Sequence, residues 1–161
     1  LRVGLVGQGV IGKAARKAWE ALGAEVRYTD PHVAKGIELN ALLGWAEILS
    51  LHCDLNASTA GLVSESSLSR MAAGSIVINT ARGACVDLHA LERAEHLGGI
   101  GLDVYPEEPC SHLAELSKRD NVILTPHSAG YHPGLGEAVR REVVAAVRAY
   151  LEDEVPENLV V

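Results

Sequence analysis

The sequence predicts an α/β fold, a doubly wound parallel sheet with helices on both faces, and three observations predict it. Short runs rich in valine, isoleucine and leucine recur along the chain, the central ones apolar on both faces, as suits a parallel sheet covered on both sides. Stretches with helical spacing separate these runs, the alternation expected of strands joined by crossover helices. The first run, "RVGLV", closes on a glycine-rich turn that leads straight into a helix pattern.

Taken in order, the candidate strands are Arg2–Val6, Glu25–Thr29, Ile48–His52, Ser75–Asn79, Gly99–Asp103 and Asn121–Thr125. After the first glycine turn, Ile11, Ala14, Ala15, Ala18 and Leu22 repeat at helical spacing. Asp87 is placed to cap a helix running to about Glu95. The longest helix pattern runs from Glu137 to about Asp153, with Val139, Val143, Val147, Tyr150 and Leu151 on one stripe. Tyr105–Pro109 and Tyr131–Gly136 read as loops, and neither an internal repeat nor a low-complexity segment appears.

Composition narrows the partners. The chain has 161 residues, 48% hydrophobic and 22% charged, enough apolar material for a sizeable core. Its net charge of −7, without a lysine or arginine cluster, disfavours nucleic acid and anionic membranes. No apolar run approaches the roughly 18 residues of a membrane span, and the N-terminus lacks a signal-peptide pattern. The first residue is Leu1 rather than methionine, as expected of a processed, cropped or excised product. Cys53, Cys85 and Cys110 are odd in number and far apart in sequence. They suggest neither a disulfide framework nor a metal site, and a reducing cytoplasm is the expected home.

The turn "GQGVIG" places Gly7, Gly9 and Gly12 between a strand and a helix. In that context Gly7 permits the tight turn, Gly9 lets the backbone approach a pyrophosphate, and Gly12 lets the helix sit close on the strand. The helix N-terminus then offers free N–H groups to the phosphates. Asp30 ends the next strand, eighteen positions after Gly12. An acid there accepts the ribose hydroxyls and repels a 2′-phosphate, which favours NAD over NADP. Alone, Asp30 also suits a strand-end turn before Pro31; FAD is the weaker cofactor alternative, since it often uses the same turn.

Three later motifs, "SIVINTARGACVD", "GIGLDVYPEEP" and "NVILTPHSAG", each lie at or just beyond the carboxyl end of a candidate strand. Those ends line the ligand crevice of an open α/β sheet, so Arg82, Glu108 and His127 should converge there. With these motifs in order behind the glycine fingerprint, the chain resembles the NAD-binding domain of the D-isomer-specific 2-hydroxyacid dehydrogenases, from Val3 to the closing "VPENLVV".

The resemblance implies a Rossmann-type domain over residues 1–161, with the C-terminal helix 137–153 and its tail. It implies that Arg82 holds the carboxylate and carbonyl oxygen of a small 2-oxo acid, a planar contact that suits a guanidinium fork. His127 would be the acid/base, and Glu108 would orient its imidazole and favour its protonated form. Asp103 and the Thr80–Ala81 segment would face the nicotinamide. Val10, Ile11, Ala129 and Gly130, with His127, complete the implied cofactor contacts. The resemblance also implies a homodimer, the pairing usual in the family, with part of the usual interface missing here.

Each residue has a plainer reading. Arg82 suits a solvated loop beside Gly83, and His127 a capped turn after Pro126. Glu107–Glu108 suits an acidic loop tip, and only the family's Glu-before-Pro register selects Glu108. His52, also at a strand end, is a structural rival.

The chain also departs from the family. Asp54 stands in "HCDLN" where a proline is usual, adding a negative charge beside the cofactor path. The stretch from Pro31 to Ser50 leaves little room for a usual third strand and its helix, and the stretch after Asp87 is compact. The substrate-closing domain of the family is not represented, so faces that would meet it should be unusually apolar or covered by another chain. A non-catalytic NAD(H)-sensing interaction module, or a decayed remnant, is the alternative to a dehydrogenase.

Overall fold

The computed structural model describes residues 1–111 and 113–156. His112 and the last five residues of the closing motif lie outside the described residues. The chain divides into two compact units, Leu1–Ala129 and Gly130–Val161.

The first unit carries β1 (Arg2–Val6), α1 (Val10–Ala21), β2 (Glu25–Thr29), α2 (Leu39–Trp45) and β3 (Ile48–Leu51). There follow α3 (Glu65–Leu68), β4 (Ile76–Asn79), α4 (Leu88–Arg93), β5 (Gly99–Leu102) and β6 (Val122–Leu124). The six strands form one sheet in the order β2-β1-β3-β4-β5-β6, every neighbouring pair parallel. All six expected strands are present, each with ends within one residue of expectation.

The period of two along β1 explains the layering. Val3 and Leu5 pack with Ile48, Trp19 of α1 and Val26 in a small core on one face. Val6 points to the other face, into the main core with Leu42 and Leu43 of α2, Leu49, Val77 and Leu91. Gly4 belongs to that second face, where a Cβ would meet Ala46 and Leu42 at 2.9 and 3.0 Å, so α2 lies almost on the β1 backbone. Helices therefore cover both faces, as the apolar strand runs predicted.

Two helices go beyond the sequence reading. The stretch after Pro31 accommodates α2, seven residues that bury Leu42 and Leu43. Among the described residues no strand lies outside β2, which forms the sheet edge. The four-residue α3 is capped by Ser64, whose hydroxyl accepts from the Ser67 N–H. The expected stripe of α1 is helical, but Ile11 and Leu22 are exposed, and Gly12 is the helix residue buried against the sheet. Asp87 caps α4 by accepting from the N–H groups of His89 and Ala90.

In the second unit, α5 spans Leu135–Leu151, two residues earlier at each end than expected. Gly134 precedes it at a φ of +93°. No helix of the described residues is long and apolar enough to cross a membrane.

Candidate functional site

The order β2-β1-β3 means that the chain leaves β1 on one side and returns on the other. The crevice of an open α/β sheet forms at such a reversal, beyond the carboxyl ends of the strands. A cleft of about 460 Å³ lies there, lined by Val6 and Gly7 from β1, Asp30 beyond β2, and His52, Cys53 and Asp54 beyond β3.

Gly7 turns at a φ of +96°, and a Cβ on it would meet the His52 carbonyl oxygen and the Cys53 N at 2.7 and 2.8 Å. Gly12 lets α1 press on that turn, since its Cβ would stand 2.2 Å from the Gly7 oxygen. Gly9 faces open space and caps α1 without a side-chain hydrogen bond, so the first-turn N–H groups have no side-chain acceptor at the cap. Val10 and Ile11 stand beside it, 86% and 65% exposed.

Asp30 accepts the Gln8 N–H on Oδ2 at 2.7 Å and the His32 N–H on Oδ1 at 2.8 Å. A carboxylate has about four lone-pair sites, so two remain for ribose hydroxyls. The region fits an NAD molecule: an uncapped helix terminus behind a glycine that leaves open space, and an acid with spare acceptor capacity across the cleft. Asp54 is exposed, and its carboxylate accepts from Asn56 Nδ2 at 3.1 Å within its own loop. Its carbonyl accepts from the Thr59 hydroxyl at 2.7 Å.

The later motifs form a second cluster. Asn79, fully buried at the end of β4, receives the Ala81 N–H on Oδ1 and donates from Nδ2 to the Arg82 carbonyl, both at 3.0 Å. It thereby shapes the turn that presents Arg82. The Arg82 side chain is exposed and its Nη1 donates to the Ala81 carbonyl at 2.7 Å. Thr80 is exposed and Ala81 buried.

Asp103 is 3% exposed at the end of β5. Its Oδ1 accepts from the Thr125 hydroxyl and from the Ser128 N–H at 2.8 Å, and its Oδ2 from the Ala129 N–H at 2.9 Å. Burial works to raise this carboxyl, yet the three donors outweigh it and leave it below the ordinary carboxylate range. The segment so held carries His127 at a φ of +51°.

His127 Nδ1 donates to Glu108 Oε2 at 2.8 Å. A carboxylate cannot donate in return, so the contact places a proton on Nδ1 and leaves Nε2 as the other ring nitrogen. The His127 hydrogen bond, with one from the Tyr105 N–H to Oε1, holds Glu108 below its ordinary value. Beside the pair a cavity of about 420 Å³ is lined by Tyr105, Pro109, Leu113 and Leu124.

The structure thus joins Glu108 to His127 and sets Asp103 behind them. Among the described residues no hydrogen bond or ion pair links Arg82 to that pair. Their segments nevertheless abut: a Cβ on Gly83 would stand 1.9 Å from the Tyr105 carbonyl carbon. His52 stands apart, its Nε2 3.0 Å from the Ser50 hydroxyl, and burial lowers its imidazole. Gly130 opens the second unit. Sequence reasoning missed Asn79, Thr125 and Tyr105, whose hydroxyl donates to the Thr125 carbonyl at 2.8 Å. The available signal was a polar residue at the end of an apolar strand.

A parallel sheet reversing at its first crossover, with a glycine turn and an acid across the resulting cleft, defines a dinucleotide-binding domain. The family model described as D-isomer specific 2-hydroxyacid dehydrogenase, NAD binding domain, matches residues 1–129, and the chain belongs to that family. The D-3-phosphoglycerate dehydrogenase of Mycobacterium leprae is 38% identical over 94% of this chain and 31% of its own. The glyoxylate reductase of Thermococcus litoralis is 35% identical over 98% of this chain and 51% of its own. A D-isomer specific 2-hydroxyacid dehydrogenase from Lactobacillus delbrueckii ssp. bulgaricus, solved in its NAD-complexed form, superposes with a TM-score of 0.92 at 29% identity. That match covers 99% of this chain and 56% of the other. The chain therefore spans about half, or less, of the length of these relatives.

Proposed function

We propose that this chain is the cofactor-binding half of an NAD-dependent 2-hydroxyacid dehydrogenase and carries its catalytic residues. The reaction moves a hydride between NAD(H) and a small 2-oxo or 2-hydroxy acid. The observation that carries this reading is the Glu108–His127 contact, in which a carboxylate on Nδ1 leaves Nε2 free to exchange a proton. The NAD-binding domain so proposed is residues 1–161, its C-terminal helix being α5 (Leu135–Leu151).

When bound, NADH supplies the hydride, and the protein supplies position and charge. Gly7, Gly9 and Gly12 with the α1 N-terminus hold the pyrophosphate, and Asp30 holds the ribose. Val10, Ile11, Thr80, Ala81, Asp103, Ala129 and Gly130 border the remainder. Arg82 binds the carboxylate and carbonyl oxygen of the acid, four of its five N–H donors remaining beyond the Ala81 contact. His127 Nε2 donates a proton to the carbonyl oxygen on reduction and removes it on oxidation. Glu108 is a positioning residue that fixes the tautomer. The exposed Val10 and Ile11 of α1, with Leu22 just past its end, support pairing of two copies or cover by another part of the enzyme. A reducing cytoplasm suits the three free thiols.

Titration of the chain with NADH tests the first half of the proposal; binding is expected, and none at millimolar NADH would overturn it. His127→Ala, placed in an enzyme with its substrate-closing half, should keep NADH affinity and lose about 10²–10⁴-fold in turnover of small 2-oxo acids. Normal turnover would remove the acid/base assignment. Sedimentation with and without NADH tests pairing, and a cofactor-dependent change in assembly without turnover would favour a sensing module.

A further inference from the structure

We propose that Cys53 and Cys85 form a dithiol that closes to an intrachain disulfide by exchange with a small-molecule disulfide. The link would tie the wall of the cofactor cleft to the turn that follows Arg82. The two residues are 32 positions apart, yet their sulfurs stand 4.0 Å from each other. The sheet brings them together: they follow β3 and β4, neighbouring parallel strands that pair Leu51 with Asn79. A disulfide needs about 2.05 Å between sulfurs, so closure asks for an approach of about 2 Å.

Their environments divide the chemistry. Cys53 is half-buried and lines the cleft, whose volume of about 460 Å³ admits a small reagent. Cys85 is fully buried and touches only protein, its thiol lying 3.9 Å from the Asp54 carbonyl oxygen. Of the two, an outside disulfide therefore reaches Cys53 first. The Cys53 thiolate attacks one sulfur of the reagent and releases a thiolate, leaving a mixed disulfide in the cleft. The Cys85 thiolate then attacks the Cys53 sulfur and expels the second half of the reagent as a thiolate. The protein loses two electrons and two protons, and the reagent leaves as two thiols. Burial, with the neighbouring Cys85, pushes the Cys53 thiol up to about 12, so the attacking thiolate is scarce near neutrality. The first step should accelerate about tenfold per pH unit between pH 7 and 9.

The link would act on the cleft because the Cys53 backbone underlies the glycine turn, at the 2.8 Å where a Gly7 Cβ would stand. Drawing Cys53 toward the turn after β4 moves the floor on which the pyrophosphate turn rests.

The test incubates the whole chain with oxidised glutathione at pH 8.5, quenches with acid, alkylates and maps peptides by mass spectrometry. Expected is a Cys53–Cys85 linked peptide pair two hydrogens lighter than the reduced pair, with Cys110 alkylated. Cys85→Ser and Cys85→Ala should each stop at the Cys53 mixed disulfide, and Cys110→Ser should leave the link intact. A wild-type chain that accumulates the Cys53 mixed disulfide without the link, or links Cys110 instead, overturns the pairing. NADH affinity of the linked chain should fall at least several-fold against the reduced chain titrated alongside. Equal affinities would overturn the effect on the cleft, and the reduced chain separates that failure from a failure of the cofactor reading.

Discussion

Asp103 shows how one side chain can fix a turn, here the one that carries His127, to which it does not belong. Its two oxygens receive the Thr125 hydroxyl and two successive backbone N–H groups, and they hold the segment that carries His127. Asp103→Asn replaces one acceptor oxygen with an N–H₂ that faces a donor, so it should cost about 2–3 kcal/mol in urea denaturation. The sign of the pH dependence follows from the lowered carboxyl. A folded-state value below the unfolded one adds stability that is complete above the ordinary carboxylate range, and it disappears as the pH falls through the lowered folded value. A pH series should therefore show an acid limb in the wild type that flattens in Asp103→Asn; equally steep limbs would show that the carboxylate is not their source. Glu108 shifts in the same direction, but it is exposed, so its variant is read in turnover rather than in stability.

At the scale of elements, close approach matters more than propensity. The turn after Arg82 packs onto Tyr105, and Gly83→Ala would drive a methyl group into the Tyr105 backbone at 1.9 Å. Backbone cannot yield as a flexible side chain can, so the variant should lose about 3 kcal/mol or more of stability, measured by denaturant midpoint. A loss below about 0.5 kcal/mol would show that the two segments do not abut. Asp87→Ala, which removes the cap of α4, should cost about 1 kcal/mol. The same contrast explains what the sequence reveals. The strands are legible because burial on both faces writes a continuous apolar run, and α4 because its cap is an aspartate ahead of an apolar pattern. The helices α2 and α3 escape notice because seven and four residues are too few for helical spacing to repeat. Asn79 and Tyr105 escape because their partners are carbonyls and N–H groups that converge only once the turns have formed. Arg82, Glu108 and His127 stand out through the order of their motifs, whereas the contact between Glu108 and His127 required the fold.

At the scale of the whole molecule, cofactor binding and folding are one equilibrium, because the cleft is built from the ends of three strands, distant in sequence, that meet only in the native sheet. A ligand that binds the native state alone raises the unfolding free energy by about 2.7 kcal/mol at one hundred times its dissociation constant. NADH should therefore shift the denaturation midpoint of this chain upward in proportion to the logarithm of its concentration. NADPH at the same concentration should shift it less. Its additional 2′-phosphate would meet the carboxylate of Asp30, whose oxygens already take the Gln8 and His32 N–H groups and therefore cannot swing aside without breaking both bonds. Like charges at that distance disfavour binding, and the repulsion weakens with added salt. The gap between the two cofactors should accordingly narrow as ionic strength rises. An equal shift with NADH and NADPH at low salt would show that the ribose does not lie against Asp30. Absence of any shift with NADH would remove the cleft from the account altogether.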